Sequence, residues 1–160
     1  MNQKNSRNGR RRKIILSILS VVIIVFISCG IYLNDYYHAD MDAVEAFSVE
    51  KTVEMRSDAE GNLVFEPEDA TAGFIFYPGG KVEYTAYIPL MKVLAFEGIL
   101  GVLVEMPFHL AVLDIDAAEG IREQYPQIEH WYIGGHSLGG SMAAAYLAEE
   151  ADEFDGLILL

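Results

Sequence analysis

The sequence predicts an α/β domain with a mostly parallel sheet, preceded by one N-terminal transmembrane helix. Two observations lead to this fold class: an uncharged apolar stretch of 20 residues near the N-terminus, and short apolar strands that alternate with helical segments further along. Such alternation favours right-handed βαβ units and therefore a parallel sheet. With 160 residues, of which 52% are hydrophobic, the chain has enough material for one domain with a sizeable core.

The charges of the chain are divided sharply along its length. Residues 1–13 carry six basic side chains and no acidic one, whereas the remainder carries the other five basic residues and all 24 acidic ones. A basic start followed by an apolar stretch is typical of membrane targeting. The acidic remainder would be repelled by phosphate backbones, so we do not expect a nucleic acid as a partner.

Residues 14–33 form the predicted membrane anchor. A helix of this length, at about 1.5 Å per residue, spans roughly 30 Å, which is the thickness of the hydrocarbon core of a bilayer. The basic residues before it predict a cytoplasmic N-terminus, and the tyrosines after it suit the opposite interface. The predicted order is a basic cytoplasmic segment (1–13), the anchor, a polar juxtamembrane linker (34–45) and an extracytoplasmic domain (46–160).

Two alternatives to an uncleaved anchor remain open. A cleaved signal peptide would use the small residues Ser28, Cys29 and Gly30 at the end of the apolar stretch. The segment before Cys29 also resembles a bacterial lipoprotein box, in which this cysteine would carry the lipid, although Phe26 stands where leucine is usual. Cys29 is the only cysteine, so the chain cannot form an intramolecular disulfide.

The elements of the domain are predicted from apolar patterns and turn residues. An N-terminal β-hairpin takes FSVEKTVEMR and LVFEP, with the turn at SDAEGN between them. Unbroken apolar runs such as GFIFYP are typical of strands that are buried on both faces. The predicted parallel strands are residues 73–78, 99–104, 131–133 and 156–160, and the predicted helices are residues 84–97, 112–125 and 143–150.

The most informative motif is Gly135-His136-Ser137-Leu138-Gly139, which fits G-x-S-x-G between a predicted buried strand and a predicted helix. A nucleophile on such a turn needs a strained backbone and very small neighbours on both sides. That geometry would expose the Ser137 hydroxyl and direct the backbone N–H of Leu138 at a developing oxyanion. The alternative is a glycine-rich turn that only joins the strand to the helix or binds a phosphate.

The segment GGHSLGG, in this order of strand and helix, resembles the nucleophile elbow of the α/β-hydrolase superfamily. The stretch FIFYPGGKVEYTAYIPLMKVLA resembles the strand, oxyanion loop and first helix of its dienelactone-hydrolase-like branch, family 5, whose bacterial members often follow a membrane anchor. The resemblance covers residues 47–160 and implies a partial α/β-hydrolase fold with Ser137 as the nucleophile. It also implies that Gly80 or Lys81 provides a second oxyanion N–H beside that of Leu138.

The resemblance further implies that a catalytic acid and then a histidine follow the nucleophile in the chain. No histidine follows His136, and the acidic residues after Ser137 fall in the next helix and at its end. His109 precedes the serine, against this order, so we do not expect it to be the base. We therefore expect residues 1–160 to be the N-terminal part of a longer hydrolase, and to be inactive by themselves.

The predicted function is a membrane-anchored serine hydrolase that acts on a small carboxylic ester or thioester. No cofactor is implied, and neither His38 nor His130 has the spacing of a metal ligand. The alternative is a non-catalytic binding module that is tethered to the membrane on a hydrolase scaffold, with Ser137 idle.

Overall fold

A mixed sheet organises the domain in the computed structural model, which describes residues 3–47 and 53–160. The strands are β1 (Glu54–Ser57), β2 (Leu63–Glu66), β3 (Ala72–Tyr77), β4 (Ile99–Leu103), β5 (His130–Gly135) and β6 (Gly156–Leu159). Within the described residues their order is β1-β2-β4-β3-β5-β6. Strands β1, β2 and β4 pair antiparallel, while β4, β3, β5 and β6 run parallel. The predicted α/β class, with a hairpin followed by a parallel sheet, is confirmed. Residues 48–52 of the predicted hairpin lie outside the described residues.

The chain divides into two compact units, Met1–Asp35 and Tyr36–Leu160. The first unit consists mainly of helix α1 (Gln3–Asn34). Within this helix, Arg10–Asn34 is long and apolar enough to cross a membrane, with a mean hydropathy of 3.0 in its most apolar window. The structure thus contains a candidate membrane span where the sequence predicts one, and a signal sequence would meet the same criteria of length and apolarity.

Among the described residues, the second unit has three α-helices: α2 (Met41–Ala46), α3 (Ile88–Phe96) and α4 (Leu138–Glu149). Helix α2 begins where the Asp40 carboxylate accepts the Ala43 N–H, a typical N-cap. Helix α3 begins at Ile88, four residues after the predicted start, with a proline in its first turn. It ends at Phe96, two residues before Gly98, which has a φ of 88°. Helix α4 begins at Leu138, five residues before the predicted start.

The side chains of the sheet alternate between two buried clusters. On one face, Phe74 and Phe76 of β3 pack with Met91 of α3. On the other face, Ile75 and Tyr77 pack with residues of α4 and of the segment between β4 and β5. Because successive side chains of a strand point to opposite faces, an unbroken apolar run is what a sheet covered on both sides requires.

The prediction of a helix over residues 112–125 is wrong. The structure instead has turns, with short 3₁₀ helices at Ala111–Leu113 and Arg122–Gln124. The Tyr77 hydroxyl enters this segment, where it donates to the Ile115 carbonyl (2.9 Å) and accepts the Ala118 N–H (2.8 Å). A tertiary contact thus takes backbone groups that an α-helix would pair internally.

Candidate active site

Ser137 lies between β5 and α4, in a backbone conformation that few residues other than glycine adopt. Its φ is 53° and its ψ is −117°, and the residue is exposed. Such a conformation costs on the order of 1–3 kcal/mol and persists only where surrounding contacts hold it. Here the Ser137 N–H donates to the Leu160 carbonyl (3.3 Å), and the Ser137 carbonyl accepts the Ser141 N–H (3.0 Å).

The glycines around Ser137 are required by the close approach of β3. A Cβ atom added at Gly135 would meet the Tyr77 carbonyl oxygen, and one added at Gly139 would meet the carbonyl oxygens of both Tyr77 and Pro78. These are backbone atoms, which cannot turn away as a flexible side chain can. We call residues 135–139 the serine turn. Its glycines let the turn rest directly on the end of the central strand.

The N-terminus of α4 is open beside the Ser137 hydroxyl. Leu138 is the first residue of this helix, and within the described residues its N–H donates no backbone hydrogen bond. Among the described residues, no histidine or carboxylate forms a hydrogen bond with the Ser137 hydroxyl. Unpaired N–H groups at a helix N-terminus carry partial positive charge, so this position favours an oxyanion.

A second loop lies against the serine turn. This glycine loop (residues 79–83) follows β3, and a Cβ atom added at Gly80 would lie 2.8 Å from Cδ2 of Leu138 and 3.2 Å from its Cβ. The structure therefore brings Gly80 and Leu138 together. The Lys81 N–H donates to the His109 carbonyl (2.7 Å), whereas the Gly80 N–H has no hydrogen-bond partner among the described residues.

A tyrosine and a histidine connect the glycine loop to the serine turn. The Gly79 N–H donates to the Tyr87 hydroxyl (3.1 Å), and this hydroxyl lies 3.0 Å from Nδ1 of His136. Burial raises the pKa of Tyr87, so the hydroxyl stays protonated at neutral pH. From the sequence Tyr87 is only one member of a helical apolar face, and no motif singles it out.

The other histidines take part in separate contacts. The His109 ring packs against the Tyr36 ring at a tilt of 33°, with ring centroids 3.9 Å apart. His38 lies 3.5 Å from a carboxylate oxygen of Glu83, and His130 lies 3.3 Å from one of Asp155. Across residues 3–47 and 53–160, no group of three or more His, Cys, Asp or Glu side chains could hold a metal ion. The site therefore contains a strained serine and two N–H groups, but no base beside them in the described part of the chain.

Known proteins with this fold were identified by comparison. A search of curated proteins finds no match. Among solved structures, a hormone-sensitive lipase from a metagenome library superposes with a TM-score of 0.55 at 19% identity, covering 74% of this chain and 47% of that one. Carboxyl esterase 2 from Tuber melanosporum gives 0.51 at 14% identity, with coverages of 78% and 48%. A carboxyl esterase from Bacillus coagulans, solved with glycerol, gives 0.50 at 16% identity, with coverages of 68% and 43%.

At these identities the likeness concerns the fold, and the chain spans somewhat less than half the length of each of the three enzymes. A sequence model of one family, described as the alpha/beta hydrolase family, matches residues 73–160. This match includes all but the first residue of β3, the glycine loop and the serine turn, and it extends over more than half of the chain. The chain belongs to the alpha/beta hydrolase family.

Proposed function

We propose that this protein is a membrane-anchored serine hydrolase that cleaves carboxylic esters or thioesters of small molecules, with Ser137 as its nucleophile. The observation that carries the proposal is the strained backbone of Ser137 at the open N-terminus of α4. A strained backbone conformation at an exposed serine costs stability, and the presentation of its hydroxyl to a substrate would account for that cost. The proposed boundaries are those predicted from the sequence: 1–13, 14–33, 34–45 and 46–160.

In the proposed reaction, the Ser137 oxygen attacks the carbonyl carbon of the substrate while a general base takes the hydroxyl proton. The carbonyl oxygen becomes an oxyanion, and the alcohol or thiol leaves with a proton as the acyl group stays on the serine. Water then releases the acid. Leu138 and Gly80 are the proposed oxyanion donors, and one such donor is worth about 10² to 10³ in kcat. Gly80 is favoured over Lys81 because the Lys81 N–H already donates to the His109 carbonyl.

The base is proposed to be a histidine that this chain does not contain. Among the described residues no histidine or carboxylate bonds to the Ser137 hydroxyl, and the chain spans somewhat less than half of the solved hydrolases that it resembles. By this proposal residues 1–160 alone would retain little activity, since a serine without its base keeps only the catalysis that comes from oxyanion stabilisation and binding. The proposal of an ester substrate is supported by the carboxyl esterases and the lipase among the structures with this fold. A thioester is included because its carbonyl carbon is open to the same attack by the serine.

A fluorophosphonate probe applied to the full-length protein tests the nucleophile. Labelling is expected at Ser137, is expected to disappear in Ser137→Ala, and is expected to persist in Ser57→Ala, which changes an exposed serine of β1. The labelled protein is expected in the membrane fraction after carbonate extraction, since α1 is proposed to remain as an anchor. Equal labelling of the wild type and Ser137→Ala would contradict the proposal.

A second function is favoured because no base contacts the Ser137 hydroxyl among the described residues. A membrane-tethered binding module that has kept the hydrolase scaffold would leave Ser137 without an activating group, as in the described residues. It predicts that the full-length protein is folded and that no fluorophosphonate reacts with it. The same labelling experiment therefore distinguishes an enzyme from a binding module.

A further inference from the structure

We propose that residues 36–39, which we call the N-terminal strap, position the Gly80 N–H for the oxyanion. This inference rests on the proposed function, because it concerns the geometry of the same donor. From the sequence the strap is part of a polar linker, yet it pairs with the glycine loop in the structure. The strap would therefore act on the reaction through the loop, as a positioning element.

The strap pairs with the loop through its backbone. Tyr37 and Val82 form a parallel bridge, in which the Tyr37 N–H donates to the Lys81 carbonyl (2.7 Å) and the Glu83 N–H donates to the Tyr37 carbonyl (2.9 Å). Both distances lie in the range of good N–H···O hydrogen bonds. The bridge thus holds the backbone on either side of Val82.

The orientation of Val82 determines where the Gly80 N–H points. The Val82 N–H donates to the Gly79 carbonyl (3.2 Å), which closes a turn over residues 79–82. The Gly79 carbonyl and the Gly80 N–H belong to one planar trans peptide group, so they point in opposite directions. Holding the carbonyl towards Val82 therefore directs the N–H away from it.

The turn needs this support because of the residue at its third position. Lys81 has a φ of 58°, a conformation that a turn normally gives to glycine or asparagine. External bonds hold it: the His109 carbonyl accepts the Lys81 N–H, and Tyr37 donates to the Lys81 carbonyl. The strap also reaches His109 itself, because the Tyr36 ring packs against the His109 ring, with ring centroids 3.9 Å apart.

A carboxylate joins the far end of the strap to the loop. Oε2 of Glu83 accepts the Ala39 N–H (3.0 Å), and Oε1 accepts the Thr85 hydroxyl (2.9 Å). The Ala39 hydrogen bond holds the pKa of Glu83 below its ordinary value, so the carboxylate stays ionised at neutral pH. Glu83 is therefore the side chain whose removal loosens the strap most selectively.

The test measures how fast a fluorophosphonate labels Ser137 in the full-length protein, because the phosphoryl oxygen of the probe occupies the oxyanion position. Glu83→Ala removes the Ala39 hydrogen bond together with the contacts to His38 and Thr85, and Tyr37→Pro removes the Tyr37 N–H. In both variants the maximal labelling rate is expected to fall roughly tenfold to a hundredfold, with unchanged probe affinity. A misplacement of about 1 Å near the reacting atoms has effects of that size. Glu83→Gln, which keeps an acceptor oxygen, is expected to restore most of the rate.

Two controls keep the wild-type rate under this inference: Tyr37→Phe, which leaves the backbone N–H in place, and Glu45→Ala, which removes an exposed carboxylate of α2. Hydrogen exchange of residues 79–83 is expected to accelerate in Glu83→Ala. If the wild type is labelled and both Glu83→Ala and Tyr37→Pro react at its rate, the strap inference is overturned while the proposed function stands. If the wild type is not labelled at Ser137, the proposed function fails and this inference fails with it.

Discussion

The Tyr77 hydroxyl connects the central strand to the segment between β4 and β5, and Tyr77→Phe tests how that segment is held. Tyr77 is fully buried. Its hydroxyl donates to the Ile115 carbonyl and accepts the Ala118 N–H, at 2.9 and 2.8 Å. The substitution removes both hydrogen bonds and leaves the N–H of Ala118, a buried residue, without a partner.

The expected loss of stability follows from these contacts. A typical hydrogen bond contributes about 1 kcal/mol to the free energy of unfolding, and leaving a buried donor unsatisfied costs about 1–3 kcal/mol. Ile115 is only half-buried, so water can reach its surroundings, and the Ala118 N–H accounts for most of the cost. We expect Tyr77→Phe to lower the free energy of unfolding by about 2–4 kcal/mol.

Urea unfolding of the full-length protein in detergent measures this loss, with the fluorescence of Trp131 as the signal. Trp131 is the only tryptophan of these 160 residues and is buried. With a slope of about 2 kcal/mol per molar urea, the midpoint should fall by about 1–2 M. Tyr132→Phe is the matched control, since no hydrogen bond of its hydroxyl occurs in the described residues, and it should change stability by less than about 0.5 kcal/mol. An equally small effect of Tyr77→Phe would refute the reasoning.

Two further predictions concern the glycine loop and the start of β5. Tyr87→Phe removes the hydroxyl that accepts the Gly79 N–H but keeps the ring, so labelling of Ser137 should slow by roughly tenfold; a wild-type rate would show that the loop does not need this bond. The Asp155 carboxylate accepts the Trp131 N–H (2.8 Å) and contacts His130, and both interactions lower its pKa below the ordinary 3.8. Because the folded-state pKa is lowered, the stability gained is present above about pH 4 and is lost as the pH falls through the lowered pKa. Asp155→Asn should therefore be less stable than the wild type at pH 6, and in urea titrations the difference should shrink as the pH falls below 3.8. A difference that stays constant down to acid pH would contradict that cause.

The strands were predictable because an unbroken apolar run indicates a strand that is buried on both faces. GFIFYP and ILGVLV contain no charged or polar side chain other than a tyrosine, and they become β3 and β4 at the centre of the sheet. Apolar spacing gave a wrong prediction of a helix at residues 112–125. Ala118, Ile121 and Tyr125 are buried there at helical spacing, but no α-helix forms. Apolar spacing reports which side chains face the core, whereas the backbone hydrogen bonds here were decided by a tyrosine about 40 residues earlier in the chain.

The predicted site shows a similar division. GGHSLGG marks the serine turn because small residues on both sides of a serine have few other uses at the end of a buried strand. Tyr87 carries no such signal, since its hydroxyl matters only where Gly79 and His136 come within reach of it. The choice between Gly80 and Lys81 also stayed open at the sequence level, because it depends on the carbonyl of His109.

The order of residues alone was sufficient for the α/β class, the apolar N-terminal helix and the position of the serine on a tight turn. These features depend on local patterns of size, charge and hydrophobicity, which a few neighbouring residues determine. The pairing of residues 36–39 with the glycine loop, the break in the predicted helix and the engaged N–H of Lys81 required the folded chain. Each of them depends on hydrogen bonds to backbone groups from partners that are far away in the sequence. Nearly every residue offers the same backbone N–H and C=O, so only the arrangement in space selects the partners.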